Sequence, residues 1–234
     1  MIIKFFKRLD IRLIGIFIVI VLLWNTEFVY PLKIFVVFMH EVSHGLAALA
    51  TGGSIKEIQI VQQEGGHAIT AGGSRFWTLT AGYLGSLMWG GLILILVART
   101  HLGKLISAVI GIGMILISVF YLRNTFGFLF GVGFGGVLIL VGRLLPESVN
   151  EWLLRVIGLT SCLYAILDIK SDIIDRSHLR SDARMLHEEI TPYIPTVVWG
   201  VLWMAIAIVV TLCVLYIAGK DREKPEALEG EIEQ

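Results

Sequence analysis

The most constraining feature of the chain is a triplet of ionisable residues, His40-Glu41-x-x-His44, inside an apolar run that begins near Ile34. Residues i and i+4 share one face of a helix, so His40 and His44 can bind one metal ion. Glu41 is placed to act as general base for a water that the metal activates. An accidental match is expected in about one chain in a hundred of this size. Since each buried ionisable group in a membrane helix is costly, the pattern predicts a functional site.

Composition indicates the class of protein. Hydrophobic residues make up 56% and charged residues 16% of the 234 residues, and the mean hydropathy is +0.81. A soluble domain is usually about one quarter charged, so this balance predicts a polytopic membrane protein. The formal net charge is zero, which gives no basic surface for nucleic acid. Cys162 and Cys213 form neither a disulfide framework nor a CxxC site, and we expect both to be buried small residues.

We expect an all-α polytopic fold with about six or seven transmembrane helices, forming a single domain over residues 1–218. Basic residues before the first apolar run place the N-terminus in the cytoplasm, and no small-residue cleavage site follows that run, so it is read as an uncleaved span. A charged tail, 219–234, is predicted to be disordered. The predicted spans are approximately 13–24, 34–50, 76–97, 105–122, 126–145, 152–169 and 197–218.

Two segments are too polar to span. In the segment 54–73, apolar residues flank Glu64-Gly65-Gly66, which predicts a β-hairpin lying against the helices. Such a hairpin offers an edge strand to an extended peptide. The second segment is a polar loop over about 170–195, in which residues 176–193 are expected to form a short amphipathic helix outside the bilayer. The glycines of the spans are best explained by close helix packing.

A metal-bound water at a catalytic site usually requires three protein ligands, so a third ligand must come from elsewhere in the chain. Asp168 is the first candidate, because an unpaired carboxylate at the end of an apolar run would be costly. Asp172, one helical turn later, is the second, either as a ligand or as the acceptor of an imidazole N–H. A solvated helix end is the alternative for both. His67 lies at the hairpin tip, where exposure to solvent is favoured over an approach to the site. His101 and His178 are weaker candidates.

The motif within a membrane span resembles the site-2 protease family of intramembrane zinc metallopeptidases. The Gly-Gly pair after the motif, the hairpin and the small-residue-rich next helix add to the resemblance, which covers about residues 34 to 205. The whole set resembles the peptidase M50B-like branch, which shows the pattern Tyr164-x-x-x-Asp168-x-x-x-Asp172, here followed by Ser181-Asp182-Ala183.

The resemblance implies a Zn²⁺ ion held by His40, His44 and either Asp168 or Asp172, with Glu41 as the catalytic residue. The chain departs from the better-known site-2 proteases, since it lacks their Asn-x-x-Pro-x-x-x-x-Asp-Gly motif and has no PDZ-like insertion. The assignment of the third ligand therefore stays open between the two aspartates.

Three functions are compatible with these features. The first is an intramembrane zinc metalloendopeptidase that cleaves transmembrane or membrane-associated protein substrates, whose helices must unwind locally because they hide their carbonyl groups in their own hydrogen bonds. The second is a non-proteolytic scaffold or binding protein of the same fold, which the intact Glu41 disfavours. The third is a metal transporter, which would be expected to show internal repeats, and none is found. We expect the lipid bilayer as the setting, in a bacterial cytoplasmic membrane, with a homo-oligomer as a possible assembly.

Overall fold

The computed structural model describes residues 11–175 and 180–219 of the chain. Those residues form eight helices and one two-stranded antiparallel sheet. The helices are α1 (Ile11–Leu22), α2 (Tyr30–Ala50), α3 (Arg75–Arg99), α4 (Gly103–Tyr121), α5 (Thr125–Leu144), α6 (Glu147–Lys170), α7 (Asp182–Glu189) and α8 (Thr196–Ala218). The strands are β1 (Ser54–Val61) and β2 (Gly65–Ala71), and a π-helical turn, Ser171–Asp175, follows α6. The charged tail lies outside the described residues from position 220 onward.

Six helices, namely α2 to α6 and α8, are long and apolar enough to cross a membrane. Helix α1 has 12 residues in the described part of the chain. At 1.5 Å per residue it covers about 18 Å, less than the roughly 30 Å of a bilayer's hydrocarbon core. The protein is therefore an all-α multi-pass membrane protein with a small hairpin, as the sequence predicts.

The six long helices divide into an inner and an outer group. In the apolar windows of α2, α3 and α6, 72%, 61% and 61% of the residues are buried, against 28%, 28% and 22% in α4, α5 and α8. The inner three thus form the interior of the bundle, and the outer three face lipid over most of their surface.

Cys162, on α6, is buried as predicted, whereas Cys213, on α8, is exposed. The prediction for Cys213 was wrong because lipid is itself an apolar environment for a small side chain.

Glycines let neighbouring helix backbones meet. A Cβ on Gly90 of α3 would lie 2.8 Å from the carbonyl oxygen of Gly158 on α6. A Cβ on Gly135 of α5 would lie 2.7 Å from the carbonyl oxygen of Gly111 on α4. Such close approach strengthens dispersion contacts between membrane helices, so the packing interpretation of these glycines is confirmed.

The hairpin turn is tethered to the inner helices. The strands pair in antiparallel register up to Val61 and Gly65, and Glu64 adopts a left-handed backbone with φ of 56°. The carbonyl of Glu64 accepts a hydrogen bond from the hydroxyl of Tyr164 on α6 at 3.3 Å, and its carboxylate lies 3.2 Å from the Nζ atom of Lys33 on α2. The hydroxyl of Tyr30 donates to the carbonyl of Gln62 at 2.9 Å. These contacts fix the hairpin against α2 and α6.

The outer edge of β1 is covered by the connection between α4 and α5. The side-chain amide of Asn124 imitates a neighbouring strand, since it accepts from the backbone N–H of Ile60 at 3.1 Å and donates to the carbonyl of the same residue at 2.6 Å. The backbone N–H of Arg123 also donates to the carbonyl of Ile58 at 3.2 Å. In the described part of the chain, β2 pairs with β1 alone. The open edge of the sheet is therefore that of β2.

Candidate metal centre

The middle of α2 carries the ionisable triplet. Pro31 lies in the first turn of this helix, where its fixed φ and missing N–H are tolerated. The helix places His40 and His44 on one face, with ring centroids 4.8 Å apart. Glu41 and His44 are buried, and His40 is nearly so. The predicted juxtaposition of the two imidazoles is thus present.

Asp182, the first residue of α7, completes the group. Its Oδ2 atom lies 3.1 Å from Nε2 of His40 and 3.2 Å from Nε2 of His44. One donor atom from each of the three residues lies within 4.8 Å of the others. In the described part of the chain, this is the group of His, Cys, Asp or Glu side chains that is placed to hold a metal ion. Asp168 or Asp172 is predicted in this position from the sequence, whereas in the structure the carboxylate beside both imidazoles is that of Asp182.

Asp168 and Asp172 both line the cavity that contains the centre, but neither joins the ligand group. The hydroxyl of Tyr83 donates a short hydrogen bond to the carboxylate of Asp172. The ring of Tyr83 meets the ring of His40 edge to face, with centroids 5.1 Å apart. Tyr83 thus contacts both Asp172 and the His40 ring. His67 lines the same cavity but is likewise outside the ligand group.

Sequence reasoning missed Asp182 because its neighbours are charged. Arg180 and Arg184 flank it, so the segment reads as a solvated amphipathic helix outside the bilayer. In the structure, Ala183 and Leu186 are buried against the helices, and α7 turns its first residue toward α2. The Ser181-Asp182-Ala183 sequence carries a signal, since Ser181 caps α7 by accepting a hydrogen bond from the backbone N–H of Arg184. This signal predicts that a helix begins here, but it does not predict which part of the protein the helix packs against.

Helix α3 orients His44 and leaves space for an ion. The Nδ1–H of His44 donates to the carbonyl of Thr78 at 2.6 Å, which turns its Nε2 atom toward Asp182. Gly82 lies one turn further along α3, directly against the ligand atoms. A Cβ there would fall 2.6 Å from Oδ2 of Asp182, 2.6 Å from Cε1 of His44, and still closer to Nε2 of His40. The space that three donor atoms surround is thus kept clear by a glycine.

Glu41 supplies a second observation that fits a metal ion and its water. Its Oε2 atom is buried and has no hydrogen-bond partner among the described residues. A buried carboxylate oxygen without a partner is costly. A set of two imidazoles and one carboxylate, with a further carboxylate beside it, suits a metal that carries a water molecule. The residues present therefore fit a bound metal.

The carboxyl of Asp182 is held in its ionised form. Burial raises its pKa, but the facing imidazoles of His44 and His40 outweigh burial and bring the pKa well below its usual range. A carboxylate must be ionised to bind a metal.

The centre opens into a cavity of about 450 Å³. One wall is β2, from Gly65 to Ile69. Gly66 lies against Glu41: a Cβ on Gly66 would fall 3.0 Å from Oε1 and 2.8 Å from Cγ of Glu41. The open edge of the sheet and the metal centre therefore share one cavity.

A multi-pass membrane protein with two histidines and an aspartate converging beside a buried glutamate belongs to the class of membrane-embedded metallopeptidase-like proteins. The family comparison agrees, since the Peptidase M50B-like family matches residues 13–214. The chain belongs to the Peptidase M50B-like family. No curated protein and no solved structure matches the chain.

Proposed function

We propose that the protein is an intramembrane zinc metalloendopeptidase that hydrolyses peptide bonds of transmembrane or membrane-associated proteins. The observation that carries this proposal is the convergence of His40, His44 and Asp182 around one small space, with Glu41 beside it. Two imidazoles and a carboxylate match the donor set of many catalytic zinc sites. Membership of the Peptidase M50B-like family supports the same reading.

Each residue of the centre has a defined part in the proposed reaction. His40, His44 and Asp182 would hold the zinc ion, which when bound would polarise the scissile carbonyl and acidify water. Glu41 accepts a proton from the attacking water at its carboxylate and later delivers it to the amine that leaves as the C–N bond breaks. Thr78 keeps the His44 imidazole in the tautomer whose Nε2 is available to the metal.

The open edge of β2 supports a binding mode for the substrate. A peptide bond inside a helix is shielded by the helix's own hydrogen bonds, so the scissile segment must first become extended. An extended segment that pairs with β2 gains backbone hydrogen bonds in exchange. Because Gly66 of β2 lies against Glu41, such a segment would pass beside the general base. Glycine and serine near the cleaved bond would favour cleavage, since they lower helix propensity.

The proposal is tested with purified protein in liposomes, loaded with zinc and supplied with a panel of single-span model proteins whose spans contain Gly and Ser. We expect cleavage products, identified by mass spectrometry, from the wild type. Glu41→Gln should lower kcat by at least about 100-fold while it retains zinc. Equal cleavage by Glu41→Gln and the wild type, or no cleavage of any panel member by zinc-loaded wild type, would contradict the proposal.

A further inference from the structure

The third ligand is carried by an element unlike the one that carries the other two. His40 and His44 lie on a 21-residue membrane helix, whereas Asp182 begins an eight-residue polar helix, α7. Isolated helices of this length are not stable in water. The position of Asp182 therefore depends on whatever docks α7 onto the bundle.

Two kinds of contact dock α7. On its apolar side, Ala183 and Leu186 are fully buried in a cluster that includes Leu79 of α3. At its far end, the guanidinium of Arg75 holds the carboxylate of Glu189 with both oxygens, at 2.7 Å from Nε to Oε2 and 3.4 Å from Nη2 to Oε1. The apolar contact holds the helix against α3, and the two-pronged ion pair fixes its end.

Glu189 pairs with Arg180, at 2.7 Å, and with Arg75, the first residue of α3. The position of Arg75 gives this second ion pair its significance. From Arg75, α3 runs to Thr78, which binds His44, and then to Gly82, which lies against the ligand atoms. From Glu189, α7 runs back to Asp182, which meets His44 at 3.2 Å. Helices α3 and α7 are thus connected at two places, by their contacts with His44 and by the ion pair. The ion pair fixes how far the end of α7 lies from the start of α3.

We infer that Arg75 and Glu189 are positioning residues for the metal ligand Asp182, acting on metal binding from about 10 Å along α7. This inference rests on the proposed metal centre. Exposed ion pairs generally contribute little, because water screens the charges and long side chains lose entropy. This pair differs in its bidentate geometry and in joining two elements that both contact the ligands, so its loss shifts a ligand rather than only a surface contact.

The chain offers a matched control on the same helix. Glu188 precedes Glu189, and its ion pairs are with Arg180 and Arg184, so they stay within the segment around α7. A general effect of removing negative charge from α7 would be the same in Glu188→Gln and Glu189→Gln. A positioning effect through α3 would occur in Arg75→Gln as well as in Glu189→Gln, and Arg75→Gln leaves the pair between Glu189 and Arg180 in place.

The experiment measures Co²⁺ binding to the purified full chain in detergent, from the visible absorption that reports both occupancy and coordination geometry. We expect Glu189→Gln and Arg75→Gln each to weaken Co²⁺ binding about fivefold and to change the spectrum. The double variant should be no weaker than either single variant, and Glu188→Gln should match the wild type.

Three results overturn the inference in distinguishable ways. If the wild type binds one Co²⁺ and Glu189→Gln binds it with equal affinity and the same spectrum, the positioning role is wrong and the proposed centre stands. If Glu188→Gln weakens binding as much as Glu189→Gln, general charge on α7 is responsible and the positioning role is again wrong. If the wild type binds no Co²⁺, both the inference and the metal centre fall.

Discussion

Gly82 is a position at which an added side chain would obstruct the metal centre directly. A Cβ at this position would lie 2.6 Å from Oδ2 of Asp182, within the space that the donor atoms surround. We therefore expect Gly82→Ala to weaken metal binding by at least about tenfold, as measured by equilibrium dialysis against a chelator. Gly113→Ala is the control, since a Cβ there meets nothing within 4 Å. Equal metal affinity in both variants would contradict the assignment of this space to the metal.

Gly66 is a position at which a substitution should impair catalysis without affecting metal binding. A methyl group at this position would press on Glu41, at 2.8 Å from Cγ, and on the carbonyl oxygen of Gln59 at 2.7 Å. We predict that Gly66→Ala lowers kcat about tenfold to a hundredfold, because the general base is displaced, and leaves metal content unchanged. Gly65→Ala provides the comparison: its Cβ would make an ordinary contact of 3.5 Å with Val61. If both alanine variants cleave substrate equally, the contact between β2 and Glu41 has no catalytic importance.

At the residue scale, sequence reasoning could place the residues that share one helix but not those that arrive from elsewhere. His40, Glu41 and His44 follow from the spacing of a single helix. Asp182 does not, because its approach depends on the docking of α7, which no local periodicity encodes. The same holds for Gly82, whose importance is visible only when its neighbours in space are known. Asp168 was favoured for a sound reason, the cost of a carboxylate at the end of an apolar run, and it does lie in the wall of the cavity.

Among the elements, the hairpin depends on a charge buried in a membrane helix. Lys33 of α2 is only 7% exposed. Its Nζ atom lies 3.2 Å from Glu64 and 4.9 Å from the ring centroid of Trp24. The ion pair with the hairpin turn and the contact with the indole ring together compensate for the loss of hydration.

We predict that Glu64→Gln destabilises the protein strongly, by about 3 kcal/mol or more, because it leaves a buried lysine without its anion. Lys33→Met should cost less, since the carboxylate of Glu64 is one-third exposed and remains hydrated. The double variant Lys33→Met/Glu64→Gln should recover most of the loss seen in Glu64→Gln. Thermal unfolding in detergent measures the order of the three variants. A double variant less stable than Glu64→Gln would show that the lysine is not stabilised by this pairing.

The boundaries of the elements were largely predictable from sequence. The expected spans 105–122 and 126–145 correspond closely to Gly103–Tyr121 and Thr125–Leu144. The agreement has a physical cause, since a membrane helix satisfies its backbone hydrogen bonds internally and therefore coincides with an apolar run. The polar loop was harder, because α7 is stabilised by contacts with α3 and α8 rather than by its own sequence.

For the molecule as a whole, the candidate metal centre joins the inner group of helices to a peripheral helix. The inner helices α2, α3 and α6 pack directly against one another, whereas Asp182 joins them from a peripheral helix. We predict that chelation leaves the far-ultraviolet circular dichroism of the protein unchanged. Hydrogen exchange should become faster in α7 (Asp182–Glu189), because the metal contributes to the docking of that helix. Loss of helical signal throughout the protein on chelation would mean that the metal holds the bundle together.

We propose that Asp182, together with His40 and His44, forms the metal centre of this member of the Peptidase M50B-like family. The most direct measurement is metal content per chain in purified protein for the wild type, Asp182→Asn, Asp168→Asn and Asp172→Asn. We expect about one zinc in the wild type, its loss in Asp182→Asn, and its retention in the other two variants. Retention of zinc by Asp182→Asn, with loss in Asp168→Asn or Asp172→Asn, would contradict it and return the third ligand to α6 or the turn that follows.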